Sequence, residues 1–253
     1  MPKINVYLPD ALALLVREAG IAVSAVCQRA LAEELRLVDE VRVAIVELRS
    51  EKFGEATARL LSNDIWNYST QKLRSVFDIA NVNSPVDSYI DPQDLLIAIL
   101  DHNENLAVRL LRSWKIDIDE LRVTTGLFNR EAFANFEKVG SIDETNEMKL
   151  LLRMTGETRL VVGNALAASL ELGDRFLGCE HVLLGLLTES AGSIATYLKS
   201  LGITESDARK AVVAASAGYS HAKDTGINAN GSQIDAILDR IEKLESRLTS
   251  LAS

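Results

Sequence analysis

The chain has 253 residues, of which 47% are hydrophobic, and a formal net charge of −9. This apolar fraction is enough for a packed core and excludes a wholly disordered chain, while the negative charge argues against a protein that coats nucleic acid along its whole length. No apolar run approaches the roughly 20 residues of a membrane helix. With no signal peptide recognised, and Cys27 and Cys179 in different predicted domains, we expect a cytoplasmic protein without a structural disulfide.

Residues 1–37 form the first predicted module, which begins with polar and apolar residues in alternation over residues 3–8. A period of two predicts a half-buried strand. Asp10 is predicted to cap a helix that ends at Gly20, and Ser24 to cap a second helix that completes the module. Both helices are expected to turn an apolar stripe inward; the stripe residues are Leu12, Leu15, Val16, Val26, Ala30, Leu31 and Leu35.

A single short strand needs a pairing partner, and a second copy of the chain is the simplest one. This order of strand, helix, glycine and capped helix resembles the ribbon-helix-helix family of DNA-binding repressors. The resemblance implies that Lys3, Asn5 and Tyr7 face base edges in the major groove and that the helix beginning at Ser24 binds a phosphate. Because acidic and basic residues balance in this module, dimerisation without DNA is the alternative.

Residues 38–62 continue the helical period of apolar residues and predict one or two connecting helices without chemistry of their own.

Two stretches of the chain share one pattern at a constant offset of 87 residues, and this repeat organises the remainder: residues 89–122 and 176–209. In the first stretch Gln93 and Asp94 begin an apolar helical run. In the second, Glu180 and His181 stand at the same two positions.

The run Glu-His-Val-Leu-Leu-Gly-Leu-Leu from Glu180, followed by Leu-Gly-Ile and Arg209, resembles the N-terminal domain of the Clp/Hsp100 unfoldases. The resemblance covers residues 63–220 and implies a tandem repeat of four-helix units, with copies at about 63–125 and 150–220. In that family the domain docks substrates, adaptors and some cyclic-peptide antibiotics. We therefore predict a mainly α fold.

The resemblance also implies a peptide-binding site. Each family copy opens with a motif close to Phe-Thr-x-x-Ala-Lys, and some members use the acidic residue of the Glu-His pair to bind the guanidinium group of phosphoarginine-tagged substrates. Carried over residue by residue, the implied site consists of Met154, Thr155, Arg159 and Glu180 from the second copy and Tyr68, Ser69, Lys72 and Gln93 from the first. For Glu180 the alternative is a carboxylate that only complements the helix dipole, and for His181 a structural role is favoured over a catalytic or ligand-binding one.

The signatures of the common chemistries do not occur in the sequence. No Gly-Lys dipeptide is present, so a Walker A loop is absent, and there is no Gly-x-Ser-x-Gly elbow. The three histidines and two cysteines lack metal-site spacing. We therefore expect a protein that is not an enzyme and uses neither a cofactor nor a metal.

Residues 221–231 are polar and predict a linker. Residues 232–253 predict a helical tail with consecutive a and d positions of three heptads, filled by Ile234, Ile237, Ile241, Leu244, Leu248 and Leu251. An oligomerisation tail is favoured over a helix docked on the repeat domain, and both dimer and tetramer remain open.

These features together predict a non-enzymatic regulator of the Clp proteostasis system. It would bind a DNA operator through the ribbon and a peptide, tagged protein or Clp-directed cyclic peptide through the repeat domain. Its expected form is a homodimer or tetramer, with Clp protease components as further partners. The alternative is a decoy or adaptor that sequesters Clp substrates or toxic peptides without binding DNA.

Overall fold

The computed structural model describes residues 7–85, 88–127 and 146–224. Within these ranges the chain forms twelve α-helices, one short 3₁₀ helix and two isolated β-bridges, which confirms the mainly α prediction. The helices are α1 Asp10–Glu18, α2 Val23–Leu48, α3 Glu55–Tyr68, α4 Gln71–Asn83, α5 Pro92–His102, α6 Leu106–Ser113, α7 Ile118–Gly126, α8 Asn146–Arg153, α9 Gly156–Leu172, α10 Cys179–Leu186, α11 Gly192–Ser200 and α12 Glu205–Asp224.

Most of the predicted N-terminal strand, including Lys3 and Asn5, and all of the predicted heptad tail lie outside the described residues. Of the strand, Tyr7 and Leu8 are described, and they are in neither strand nor helix. Helix α12 continues through residues 221–224, so the predicted linker does not begin at residue 221.

Helix α1 ends as predicted but starts differently. Gly20 has a left-handed φ of 63°, and its N–H donates to the carbonyl oxygen of Arg17, while the N–H of Ile21 donates to that of Val16. These paired bonds are a Schellman motif, which glycine favours because it has no Cβ. The predicted cap Asp10 is wrong, because the N-cap residue is Pro9 and Asp10 is the first helical residue.

Helix α2 differs more from its prediction. It begins at Val23 after Ala22, which makes no side-chain capping bond, so Ser24 is an exposed residue of the first turn and not a cap. The helix runs without a break past residue 37 to Leu48 and so spans the expected boundary between the first module and the connecting segment.

The two ends of α2 lie in different surroundings. Its C-terminal part packs against α9 and buries Val41, Ala44 and Leu48, and α3 packs along α8. The connecting segment is therefore part of the core. The predicted inward stripe of α1 and early α2 is wrong for the single chain, since α1 buries no residue and Leu15 is 62% exposed.

The two predicted copies occupy equivalent helices, α4 to α7 and α9 to α12. In each copy the first two helices pack side by side, α4 with α5 and α9 with α10. Thr70 and Thr155 cap α4 and α9 by accepting the N–H bonds of Leu73 and Thr158.

Parallel β-bridges between segments that precede helices join the copies. Thr70 N–H donates to Leu177 O at 2.9 Å, and Leu177 N–H donates to Tyr68 O at 2.8 Å. The other bridge joins Ile90 to Met154 in the same way. Each copy is thereby hydrogen-bonded to the backbone segment that precedes a helix of the other copy.

Gly185 sets how closely α9 and α10 approach each other. A Cβ at this position would lie 2.3 Å from the carbonyl oxygen of Val161, a distance that no side chain tolerates. The backbones of the two helices therefore meet at this point.

We expect Gly185→Ala to lower the free energy of unfolding by about 1–3 kcal/mol, because the added methyl must push α10 away from α9. Gly126→Ala is the matched control, since nothing lies within 4 Å of the Cβ that alanine would add at the end of α7. That variant should be neutral or slightly stabilising. Urea unfolding of both variants checks this, and equal stability of the two would contradict it.

Candidate peptide-binding site

The candidate site centres on the N-terminus of α10, where Glu180 folds back over Gly178. A Cβ on Gly178 would lie 2.1 Å from Oε1 of Glu180, so only glycine leaves room for the carboxyl group. Gly178 provides no side-chain cap for the helix. The side chains of the first turn therefore have to satisfy the helix start.

His181 fulfils that task. It is fully buried, its Nδ1 accepts the N–H of Gly178 at 3.0 Å, and its Nε2 lies 3.0 Å from Oδ2 of Asp174. Because Nδ1 is an acceptor, the ring proton is on Nε2 and is donated to Asp174. Both ring nitrogens are satisfied, which supports the structural role favoured from the sequence.

The first copy begins its helix with a different pair of residues at the same two positions. Asp91 caps α5 by accepting the N–H of Asp94 at 2.9 Å, and Oδ2 of Asp94 accepts the N–H of Asp91 at 3.1 Å. Asp94 and His181, 87 residues apart, thus both accept the N-cap amide of their helix. The repeat seen in the sequence is also a repeat of hydrogen bonds.

Glu180 itself is only 7% exposed. Burial raises the pKa of its carboxyl group, while the positive charge of Lys72 acts in the opposite direction. Lys72 is exposed on the first turn of α4, and its Nζ donates to the carbonyl oxygen of Glu104. The site therefore combines a poorly solvated carboxylate with an exposed ammonium group.

At each of the two equivalent sites, one copy supplies the segment that lies beside the helix start of the other copy. The positive charge of Lys72 in the first copy lowers the pKa of Glu180 in the second, and a β-bridge joins Ser69 to Leu177 in the segments that precede α4 and α10. Met154 and Thr155 lie instead beside the entrance to α5, where Thr155 N–H donates to Ile90 O at 3.0 Å. The eight predicted residues thus belong to two separate places and not to one groove.

Six of the eight predicted residues are almost completely buried in this structure: Tyr68, Ser69, Gln93, Met154, Thr155 and Glu180. The placing of Met154 in an adaptable groove is wrong, because its side chain is 0% exposed and belongs to the core. Tyr68 donates its hydroxyl hydrogen to the carbonyl oxygen of Asp174 at 2.8 Å. Tyr68 therefore anchors the loop between α9 and α10.

The pairing of Lys72 with Arg159 is also wrong. Counting from the caps Thr70 and Thr155, Arg74 is the counterpart of Arg159, as each arginine lies four residues after its cap. Both arginines make the same contact, since Nε of Arg74 donates to Ser69 O at 3.1 Å and Nη1 of Arg159 donates to Met154 O at 2.8 Å.

Each of these arginines also lies over an aromatic ring. Arg74 lies 5.9 Å from the ring centre of Trp66, and Arg159 lies 4.6 Å from that of Phe53. The shared spacing Thr-x-x-x-Arg is the sequence signal that identifies Arg74. By the same count, the counterpart of Lys72 is Glu157, so the two equivalent sites carry opposite charges at this position.

Comparison with known proteins agrees with the repeat domain. Residues 153–250 match the family described as Clp repeat (R) N-terminal domain, and this match extends beyond the described residues. The chain is 24% identical over 218 residues to the chloroplastic chaperone protein ClpC2 of Oryza sativa subsp. japonica, which covers 85% of this chain and 22% of that protein.

Two further relatives give the same result. The negative regulator of genetic competence ClpC/MecB of Bacillus subtilis (strain 168) is 23% identical over 163 residues, which is 64% of this chain and 18% of the relative. The chloroplastic ATP-dependent Clp protease ATP-binding subunit ClpA homolog CD4B of Solanum lycopersicum is 24% identical over 168 residues, which is 65% of this chain and 16% of the relative.

The chain thus spans less than a quarter of the length of each of these relatives. In the part of the chain that the structure describes, no helix is both long enough and apolar enough to cross a membrane. The matches support the resemblance of the repeat domain to Clp N-terminal domains, and they do not extend that support to a ribbon-helix-helix module.

We expect Glu180→Gln to stabilise the fold at neutral pH. The folded-state pKa of Glu180 is raised, so the unfolded chain loses this proton first as the pH increases. Stability then falls as the pH rises from the unfolded to the folded pKa, and the amide removes this loss. Below the unfolded pKa the carboxyl is protonated in both states, and its ionisation no longer separates the variant from the parent.

The reverse change in the first copy is the matched control. Gln93 is 6% exposed at the equivalent position, so Gln93→Glu should introduce the pH-dependent loss that Glu180→Gln removes. Denaturant unfolding between pH 4 and pH 8 measures both. A Glu180→Gln variant with the pH profile of the parent would show that this carboxyl does not titrate abnormally.

Proposed function

We propose that the chain captures a cationic group of a peptide or protein at the Glu180–Lys72 site, as a non-enzymatic component of a Clp system. The observation that carries the proposal is the buried carboxyl group of Glu180. Its charged form is poorly solvated, and the positive charge of Lys72 lowers its pKa only in part. A bound guanidinium group would supply the missing partner through charge-assisted hydrogen bonds.

Phosphoarginine fits both charges of this site. Its guanidinium group would pair with Glu180, and its phosphate would be neutralised by Lys72 on the exposed first turn of α4, where free N–H groups also favour an anion. The carbonyl oxygen that Lys72 now contacts belongs to a surface loop, so the ammonium group can turn toward a ligand.

The equivalent place in the first copy is proposed to have lost this specificity. Gln93 offers a neutral amide beside Met154 and Thr155, and Arg159 is engaged with Met154 O and the Phe53 ring. Glu157, the counterpart of Lys72, would repel a phosphate. We therefore expect one site of this type per chain.

The similarity to Clp proteins favours protein substrates, tagged proteins or Clp-directed cyclic peptides as ligands, and Clp protease components as partners. These relatives include a chaperone and an ATP-binding subunit of a Clp protease. A chain that holds such ligands would act as a regulator if it binds DNA, and as a decoy or adaptor if it does not.

DNA binding through Lys3, Asn5, Tyr7 and Ser24 is the second candidate function. Tyr7 is 95% exposed, and Ser24 is exposed in the first turn of α2. Neither side chain is used by the core of its own chain, so both are free to contact DNA.

For the peptide site, we expect Glu180→Gln and Lys72→Ala each to weaken binding of a phosphoarginine peptide by about 10-fold or more, since each removes one charge-assisted contact. Glu157→Gln, at the equivalent exposed position of the second copy, is the control and should retain the parent affinity. Isothermal titration calorimetry measures all three. Unchanged affinity in the Glu180→Gln variant would place the ligand elsewhere.

For DNA, we expect the full chain to shift a fragment of its own upstream region, and the triple change Lys3→Ala, Asn5→Ala and Tyr7→Ala to weaken this binding by about 10-fold or more. Lys199→Ala removes an exposed positive charge from α11 and serves as the control. If the parent chain does not bind in the gel-shift assay, the decoy function is favoured.

A further inference from the structure

A groove of about 660 Å³ runs between α2 and α3, with an apolar floor and a charged rim. Its lining includes three apolar side chains that remain largely exposed, Leu35 at 65%, Val43 at 49% and Leu60 at 62%. No described residue of the chain fills it. Exposed apolar surface of this kind in a folded domain commonly marks an interaction site.

Helix α1 has exposed apolar side chains, and no described part of the chain covers them. Leu12, Leu14 and Leu15 are 47%, 60% and 62% exposed, and the helix buries none of its nine residues. An isolated helix of this length is unstable in water, so its stability depends on a packing partner.

Part of the groove of the same chain is out of reach of α1. The tight turn at Gly20 connects α1 to the start of α2 at Val23, and nine helical residues span only about 13 Å. Leu35 and Val43 lie about 18 Å and 30 Å further along α2 at the helical rise of about 1.5 Å per residue. With both helices intact, α1 cannot reach the part of this groove around Val43 within its own chain.

We propose that the α2–α3 groove receives helix α1 of a second copy of this chain. Helix α1 of each copy would lie in the groove of the other copy, so that both exposed apolar surfaces are covered. The result is a closed, two-fold symmetric dimer. Formation of this dimer requires neither DNA nor a ligand at the peptide site. The dimer places α3, and with it the repeat domain, in direct contact with the partner's N-terminal helix.

One charged residue of α1 can pair with the groove. The groove rim carries Asp39, Glu40 and Asp64 against Arg36, and α1 carries the basic Arg17 in its last turn together with the acidic Asp10 and Glu18. Desolvation and the neighbouring Glu40 already raise the pKa of Asp64, and an incoming arginine would relieve this.

The first test is sedimentation velocity of full-length variants. Leu15→Asp in α1 and Leu60→Asp in the groove should each raise the dimer dissociation constant about 100-fold, as expected for a charge placed in an apolar contact. Both side chains are exposed in the single chain, so both variants should fold. Val123→Asp, which alters another exposed apolar residue, should leave the dimer unchanged.

Mixing the two variants gives a stricter result. A Leu60→Asp chain still has an intact α1 and a Leu15→Asp chain still has an intact groove, so the mixture should recover one of the two contacts and dimerise more strongly than either variant alone. Failure of the mixture to gain affinity would overturn the proposed exchange.

The second test identifies the occupant of the groove by cross-linking. In a Cys27→Ser background, a tagged Leu15→Cys chain and an untagged Leu60→Cys chain should be joined by a bismaleimide, whereas Leu15→Cys and Val123→Cys chains should not. Cys179 is buried and does not compete. Dimers that form without this cross-link would mean that another surface, such as the predicted strand or residues 232–253, holds the copies together, and the proposal would be wrong.

Discussion

The exchange of backbone hydrogen bonds between the two copies is the interaction on which the rest of the structure depends. The bridges Ser69–Leu177 and Ile90–Met154 each precede a pair of helices, one from either copy. Neither copy can satisfy these buried N–H and C=O groups alone, and leaving them unpaired would be costly. Because the bridges cross between copies, the start of α4, which carries Lys72, and the start of α10, which carries Glu180, follow the two sides of one bridge.

The sequence predicted the repeat correctly but not its crossed pairing. The offset of 87 residues correctly relates Asp94 to His181, since both accept the amide of their N-cap residue. For α4 and α9 the caps Thr70 and Thr155 differ by 85 residues, so one offset cannot align the whole copy. Which copy supplies the neighbour of Glu180 is a tertiary fact that no periodicity contains.

The N-terminal region shows a different limit of sequence analysis. No proline or glycine interrupts residues 23–48, so the sequence pattern is consistent with the single long helix that the structure has. The boundary predicted at residue 37 came from the resemblance to the ribbon-helix-helix family and not from this pattern. The apolar stripe of α1 predicted from the sequence is present, but it is exposed in the single chain. A stripe cannot indicate whether it packs within its own chain or against another, and the exposure of Leu15 shows that its partner is not in the described chain.

The two copies begin the equivalent helices α5 and α10 with different residues. In the first copy Asp91 caps α5, and the neutral Gln93 adds no charge that burial would oppose. In the second copy glycine replaces the cap, which leaves space for the Glu180 carboxyl group. Because His181 alone holds the N–H of Gly178, a ligand can engage Glu180 without disturbing that bond. The second copy thus buries a carboxyl group at the position where the first copy buries a neutral amide.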